Sequence, residues 1–225
     1  MYYADCDIYN NSFDSNKYGI YAYYSDFDAD NNEIHNASGT SSTRSGIFLS
    51  HSSPSLDDND VSNCYRGIKC YNYSGPNLTS FRKTGNNAVN NYVHDHSSAG
   101  IYISSYSTPD IGVHGIIGPL FSGGFNYFTD NGYDVWNATA STIYAQVNWW
   151  ESDTPNNNGS VNTSYQADDV LGMGPGSLPK GSSFEDLFAF YQQARLFEED
   201  SLYLDAVALY DSIIINDDGD ESTLL

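Results

Sequence analysis

The densest set of titratable side chains in the sequence is His94-Asp95-His96. With Val93 facing inward on an extended strand, His94 and His96 face outward together, where two imidazoles could hold a metal ion or move a proton. A turn built of polar side chains is the plainer account, because no third ligand is visible. Asp57, Asp58 and Asp60 could supply the paired carboxylates of glycoside cleavage, which needs a defined separation that sequence does not measure. Asp26-x-Asp28-x-Asp30-Asn31 follows the opening of a calcium loop, with oxygens at alternate positions. The glycine of its sixth place is missing, however, and Ala37 stands where a bidentate Glu belongs, so a solvated acidic loop competes with a calcium site.

An internal repeat positions these residues. Asn-x-apolar recurs as Asn11/Phe13, Asn32/Ile34, Asn59/Val61, Asn91/Val93 and Asn126/Phe128, and each is followed by Ser, Asn or Asp two residues on. A second element then reads Gly19-Ile20, Gly46-Ile47, Gly67-Ile68, Gly100-Ile101 and, in the fifth copy, Asp134-Val135. The irregular spacing, short from Asn11 to Asn32 and longer from Asn91 to Asn126, suits stacked coils joined by loops of different length. Strand alternation turns the apolar residue of each element inward. Inward asparagines stacked about 4.8 Å apart can pair their amides coil to coil, so Asn11, Asn32, Asn59, Asn91 and Asn126 are expected to form an interior ladder. The glycine before each inner Ile suits a corner of positive φ. No 3.6-residue period appears in this region.

The side chain next to each inner Ile or Val must face out, and these positions read Tyr21, Phe48, Lys69, Tyr102 and Trp136. Such a row can stack on sugar rings, with neighbouring Asn, Asp and Ser bonding the hydroxyls, and Lys69 would favour an acidic polysaccharide. Aromatics are also good strand formers that simply cover a sheet.

These coils resemble the right-handed parallel β-helix repeat proteins, the pectate-lyase-like superfamily of carbohydrate-binding proteins and sugar hydrolases, over roughly Met1 to Trp150. Asn148-Trp149-Trp150-Glu151-Ser152 is similar to the N-W-W-G-S ending of such coils, with Glu151 in place of the usual Gly. The resemblance implies an all-β solenoid. Family lyases use an outward Arg or Lys with a calcium-binding carboxylate group, but Arg44, Arg66, Arg82 and Lys83 match no such motif. A Gly/Pro/Ser linker is expected over 172–183, after a β-helix domain over 1–171. From Phe184 to Leu225 the pattern turns amphipathic, and Phe190, Ala194, Phe197, Ala206, Tyr210 and Ile213 resemble a tetratricopeptide helix pair. A lone pair cannot bury its apolar face, so truncation is expected, and the helices offer a place for a protein partner.

Composition narrows the function classes. With 29 acidic against 8 basic residues and a net charge of -21, the surface repels nucleic acid. Cys6, Cys64 and Cys70 form neither a zinc pattern nor a disulfide framework. No apolar run suits a membrane span, and no export signal is present. Low Lys content and abundant Tyr resemble exported bacterial surface proteins, so a secreted or cell-surface location is expected, with the export signal lying outside this chain. The leading expectation is a non-catalytic β-helix module, without a cofactor, that binds polysaccharide or a cell-surface glycan or serves in adhesion. A polysaccharide lyase or glycoside hydrolase of the same fold is the alternative, and a structural stalk the third.

Overall fold

The computed structural model describes residues 6–37, 44–83, 89–117, 120–152 and 154–167. The 172–183 linker, the 184–225 helix pair and the end of the 1–171 domain beyond Ala167 lie outside these. Three columns of short parallel strands make a right-handed parallel β-helix.

The first wall stacks Ser12–Asp14, Glu33–His35, Asp60–Ser62, Tyr92–His94, Tyr127–Thr129 and Trp149–Trp150, in chain order. The second stacks Tyr18–Tyr23, Ser45–Ser50, Arg66–Tyr71, Ala99–Ile103 and Val135–Asn137. The third begins with Ile8–Tyr9, Asp28–Asp30 and Ser55–Asp57 and continues as single bridges from Ser55 through Asn77 to Asp110. Ser80–Lys83 departs from the solenoid and pairs antiparallel with Leu120–Gly123.

Each wall sends apolar side chains into one core. Phe13, Ile34, Val61, Val93, Phe128 and Trp150 come from the first wall, and Ile20, Ile47, Ile68, Ile101 and Val135 from the second. Ala29, Leu56, Leu78 and Ile111 come from the third. Burying each such Ile or Leu stabilises the fold by about 1.5–3 kcal/mol.

Polar ladders hold the corners between walls. Asn11 Nδ2 donates to Asn32 Oδ1 (3.3 Å), Asn32 to Asn59 (3.0 Å), Asn59 to Asn91 (3.1 Å), Asn91 to Asn126 (2.8 Å) and Asn126 to a sixth rung, Asn148 (2.9 Å). Each Oδ1 also accepts the backbone N–H of the rung before it, as Asn91 Oδ1 does from Asn59 N (3.1 Å). A second ladder at another corner runs through serine: Ser25 N donates to Ser52 Oγ (3.0 Å), Ser52 N to Ser74 Oγ (3.3 Å) and Ser74 N to Ser107 Oγ (3.1 Å).

The glycines before the inner isoleucines have a different reason from the one read in the sequence. Gly19, Gly46, Gly67 and Gly100 are absent from the positive-φ positions. They are small because the neighbouring coil lies against them: a Cβ on Gly46 would stand 2.7 Å from Val61 Cγ1, and one on Gly100 would stand 2.8 Å from Asp134 O.

Candidate functional site

The second wall carries the outward row in register. Tyr21 pairs with Phe48, Phe48 with Lys69, Lys69 with Tyr102 and Tyr102 with Trp136. The inward isoleucine beside each member fixes its direction. The rings contact each other and their cations rather than standing apart. Tyr21 and Phe48 stack with centroids 4.9 Å apart and planes 7° apart, and Trp136 meets Tyr102 edge-on at 5.3 Å. Arg66 lies 3.5 Å above the Tyr102 ring. Lys69 lies 5.0 Å from the centroid of Phe48 and 5.5 Å from that of Tyr71. Burial, and then the charge of Arg66, holds the Lys69 ammonium below its usual pKa. Lys69 has no carboxylate partner among the described residues.

A further row borders this wall and was not read from the sequence. Directly after its strands, the corner places Tyr24, His51, Tyr73 and Tyr106 in one column. All four are in the left-handed region, at φ 50, 52, 57 and 64°. The signal was weak: each aromatic lies one residue before a ladder serine, and serine is too common here to mark a register.

The first wall gathers the titratable groups. His94 Nδ1 is 2.6 Å from Asp95 Oδ2 and its Nε2 is 3.0 Å from Asp60 Oδ1 on the preceding coil. Tyr92 stacks on the His94 ring at 3.9 Å, and Tyr127 stacks on Tyr92. Burial opposes charge on His94, but the hydrogen bonds to Asp60 and Asp95 outweigh it and raise its pKa. With both nitrogens on carboxylates, His94 is an ion-paired link between coils.

His96 does not share the outer face with His94. Asp95 adopts φ 58°, which ends the strand alternation, and His96 turns inward to 1% exposure. Its Nδ1 accepts from Cys64 N (3.1 Å), and burial lowers its pKa to about 3, so it is neutral. The Cys64 thiol donates to Ser62 O (3.1 Å), and burial raises its pKa to about 11.

The three aspartates proposed for glycoside cleavage divide over a corner. Asp57 ends a third-wall strand, Asp58 turns the chain at φ 53°, and Asp60 begins a first-wall strand, where it meets His94. Asp57 accepts from Ser55 Oγ (2.7 Å). The calcium loop does not form either, because Asp28–Asp30 is a strand and Ala29 is one of its core residues. Asp26 Oδ1 instead accepts from Ser53 N (2.6 Å). No group of three or more His, Cys, Asp or Glu side chains that could hold a metal ion occurs among the described residues. Glu151, in the place of the usual glycine, accepts from Asp130 N (3.0 Å) and so tethers the last coil. No helix among the described residues is long and apolar enough to cross a membrane.

An Asn-laddered solenoid with a ring-lined outer wall defines a β-helix repeat protein. Residues 1–167 match the family described as periplasmic copper-binding protein (NosD), and the chain belongs to that family. No curated protein and no solved structure matches it.

Proposed function

We infer that the chain is a non-catalytic β-helix module that binds an acidic polysaccharide along its second wall. The observation that supports this is Lys69. In a chain with 29 acidic residues, a half-buried ammonium flanked by Phe48 and Tyr71 has no carboxylate partner among the described residues. A carboxylate on a sugar chain would supply one, and the tyrosine edges nearby would meet the hydroxyls. The family's description places its members in the periplasm, which suits a module of an exported bacterial protein.

Copper, the metal in that description, is held by imidazole, thiolate or thioether groups brought together in one set. The described residues do not fit it, since no three His, Cys, Asp or Glu side chains that could hold a metal ion come together among them. Both nitrogens of His94 sit on carboxylates, and His96 is buried with its Nδ1 occupied. Burial holds the thiols of Cys64 and Cys70 in their protonated form. No step through copper follows from this site.

The test is a titration of wild type and Lys69→Gln with a panel of uronate-bearing and neutral polysaccharides, with analysis for cleavage products. Wild type should retain a uronate-bearing polymer intact, and Lys69→Gln should weaken that binding several-fold while leaving neutral polymers unaffected. Released products would replace this reading with the lyase or hydrolase alternative. An absence of binding by wild type would remove it.

A further inference from the structure

We propose that the surface on which sugar rings stack is the corner column Tyr24, His51, Tyr73 and Tyr106, with Tyr73 and Tyr106 offering open ring faces to the apolar faces of pyranose units in a polysaccharide lying along the solenoid axis. This rests on the polysaccharide reading above, but it moves the stacking contact away from the wall.

The wall rings are poor stacking platforms. Tyr21 and Phe48 stack on each other at 4.9 Å with Lys69 5.0 Å from the Phe48 centroid, and Arg66 covers a face of Tyr102. At the corner the stack is tight at its first pair and looser beyond His51. Tyr24 and His51 lie 4.2 Å apart, but Tyr73 stands 6.0 Å from His51 and 5.3 Å from Tyr106. Near-parallel rings in van der Waals contact lie about 3.5–4 Å apart, so a 5.3 Å centroid distance means a larger lateral offset, and more open ring face, than the 4.9 Å of Tyr21 and Phe48. Exposure follows the same order: Tyr24 is 41% exposed, Tyr73 65% and Tyr106 75%.

The backbone carries an independent signal. Elsewhere the left-handed corners use Asn31, Asn36, Asp58, Asn63, Asp95 and Asp130, the side chains that tolerate that conformation. Phe125 and Val147 are left-handed too, but both are buried in a local apolar cluster that accounts for them, and the left-handed Tyr165, 56% exposed, stacks on His114 at 4.3 Å. Tyr73 and Tyr106 have no such burial, so packing does not explain bulky rings at strained positions. The serine ladder fixes the backbone directly behind them, which keeps the rings in place without covering them.

The rim of the column selects the ligand. Asn72 and Ser105 directly precede Tyr73 and Tyr106 in the chain, and Ser53, whose Oγ accepts from Gly75 N (3.2 Å), follows His51 by two residues, so neutral amide and hydroxyl groups neighbour the rings in sequence, as the hydroxyls around a flat sugar face require. An apolar protein or lipid surface would leave those groups unpaired.

The test replaces the rings while favouring the backbone. In the full chain, the Tyr73→Asn, Tyr106→Asn pair should lower affinity for the retained polysaccharide about fivefold or more, with a melting temperature no lower than wild type. The Tyr73→Phe, Tyr106→Phe pair should bind within about twofold of wild type, since the ring faces remain. If the Asn pair binds as wild type while Tyr102→Ala, Trp136→Ala loses binding, the corner proposal is overturned and the polysaccharide reading stands. A lowered melting temperature in the Asn pair would make the rings packing elements and also overturn it. If wild type binds no polymer of the panel, both fall together.

Discussion

Asn59 donates through Nδ2 to Asn91 Oδ1 and to Ala29 O, while its own Oδ1 receives the amide and backbone N–H of Asn32. Asn59→Leu would leave these buried partners unpaired above and below, costing about 1–3 kcal/mol in stability. Thermal melts measure this, and an unchanged midpoint would show that the ladder contributes nothing. His94 and His96 make a second residue-scale case, with opposite signs. His94 has a raised pKa, so its contribution is complete below the unfolded histidine value and is lost as pH rises through its folded pKa. His96 titrates near 3 when folded, so between about 6.5 and 3 only the unfolded chain takes up its proton, and stability falls on acidification. His96→Asn should therefore flatten the acid side of the stability profile. His94→Gln should cost most below pH 6.5 and progressively less above it. Urea midpoints measured from pH 4 to 9 would check both. Asp95 shows why the sequence misplaced His96: alternation predicts direction only while the strand lasts, and Asp95, like Ser15, Asn36, Asn63 and Asp130 at the same place of the repeat, ends the strand in the left-handed region.

At the scale of elements, two of the three walls were legible because each repeats a polar or glycine marker beside its inward apolar residue. The third was not. Its inward Ala29, Leu56, Leu78 and Ile111 vary in size and lie among Asp, Ser and Asn, so no marker recurs. Asn148-x-Trp150 did fit the ladder pattern, although bulky Trp149 beside it obscured the rung. The outward row followed from the isoleucines, but the mutual stacking that closes its faces depends on rotamers that sequence does not give. The glycines before those isoleucines yield a prediction about coil packing. A Cβ on Gly46 would meet Val61 and Gly67 O of the next coil and Ile34 of its own, so Gly46→Ala should cost about 1–3 kcal/mol. Gly75→Ala meets nothing nearer than Thr108 O at 3.1 Å and should cost clearly less. Equal melting temperatures for the two variants would show that the coils can separate to admit a methyl.

At the scale of the whole molecule, charge and site oppose each other. The net charge of -21 repels an acidic polymer over long distances, whereas Lys69 attracts its carboxylates at contact. Salt separates the two effects. The Debye length shrinks from about 30 Å at 0.01 M to about 8 Å at 0.15 M, which removes most of the long-range repulsion. A half-buried cation between rings is screened much less, so its attraction survives over the same range. Affinity for a uronate-bearing polysaccharide should therefore rise between those salt concentrations, opposite to the usual weakening of contacts between opposite charges. Lys69→Gln removes the contact and leaves the repulsion, so the variant should bind more weakly at every salt concentration and show the same upward slope. Neutral polysaccharides should show neither effect. Affinity that falls steadily with salt would mean that attraction governs the approach, and the assignment of Lys69 as the single carboxylate contact in a repulsive field would be wrong.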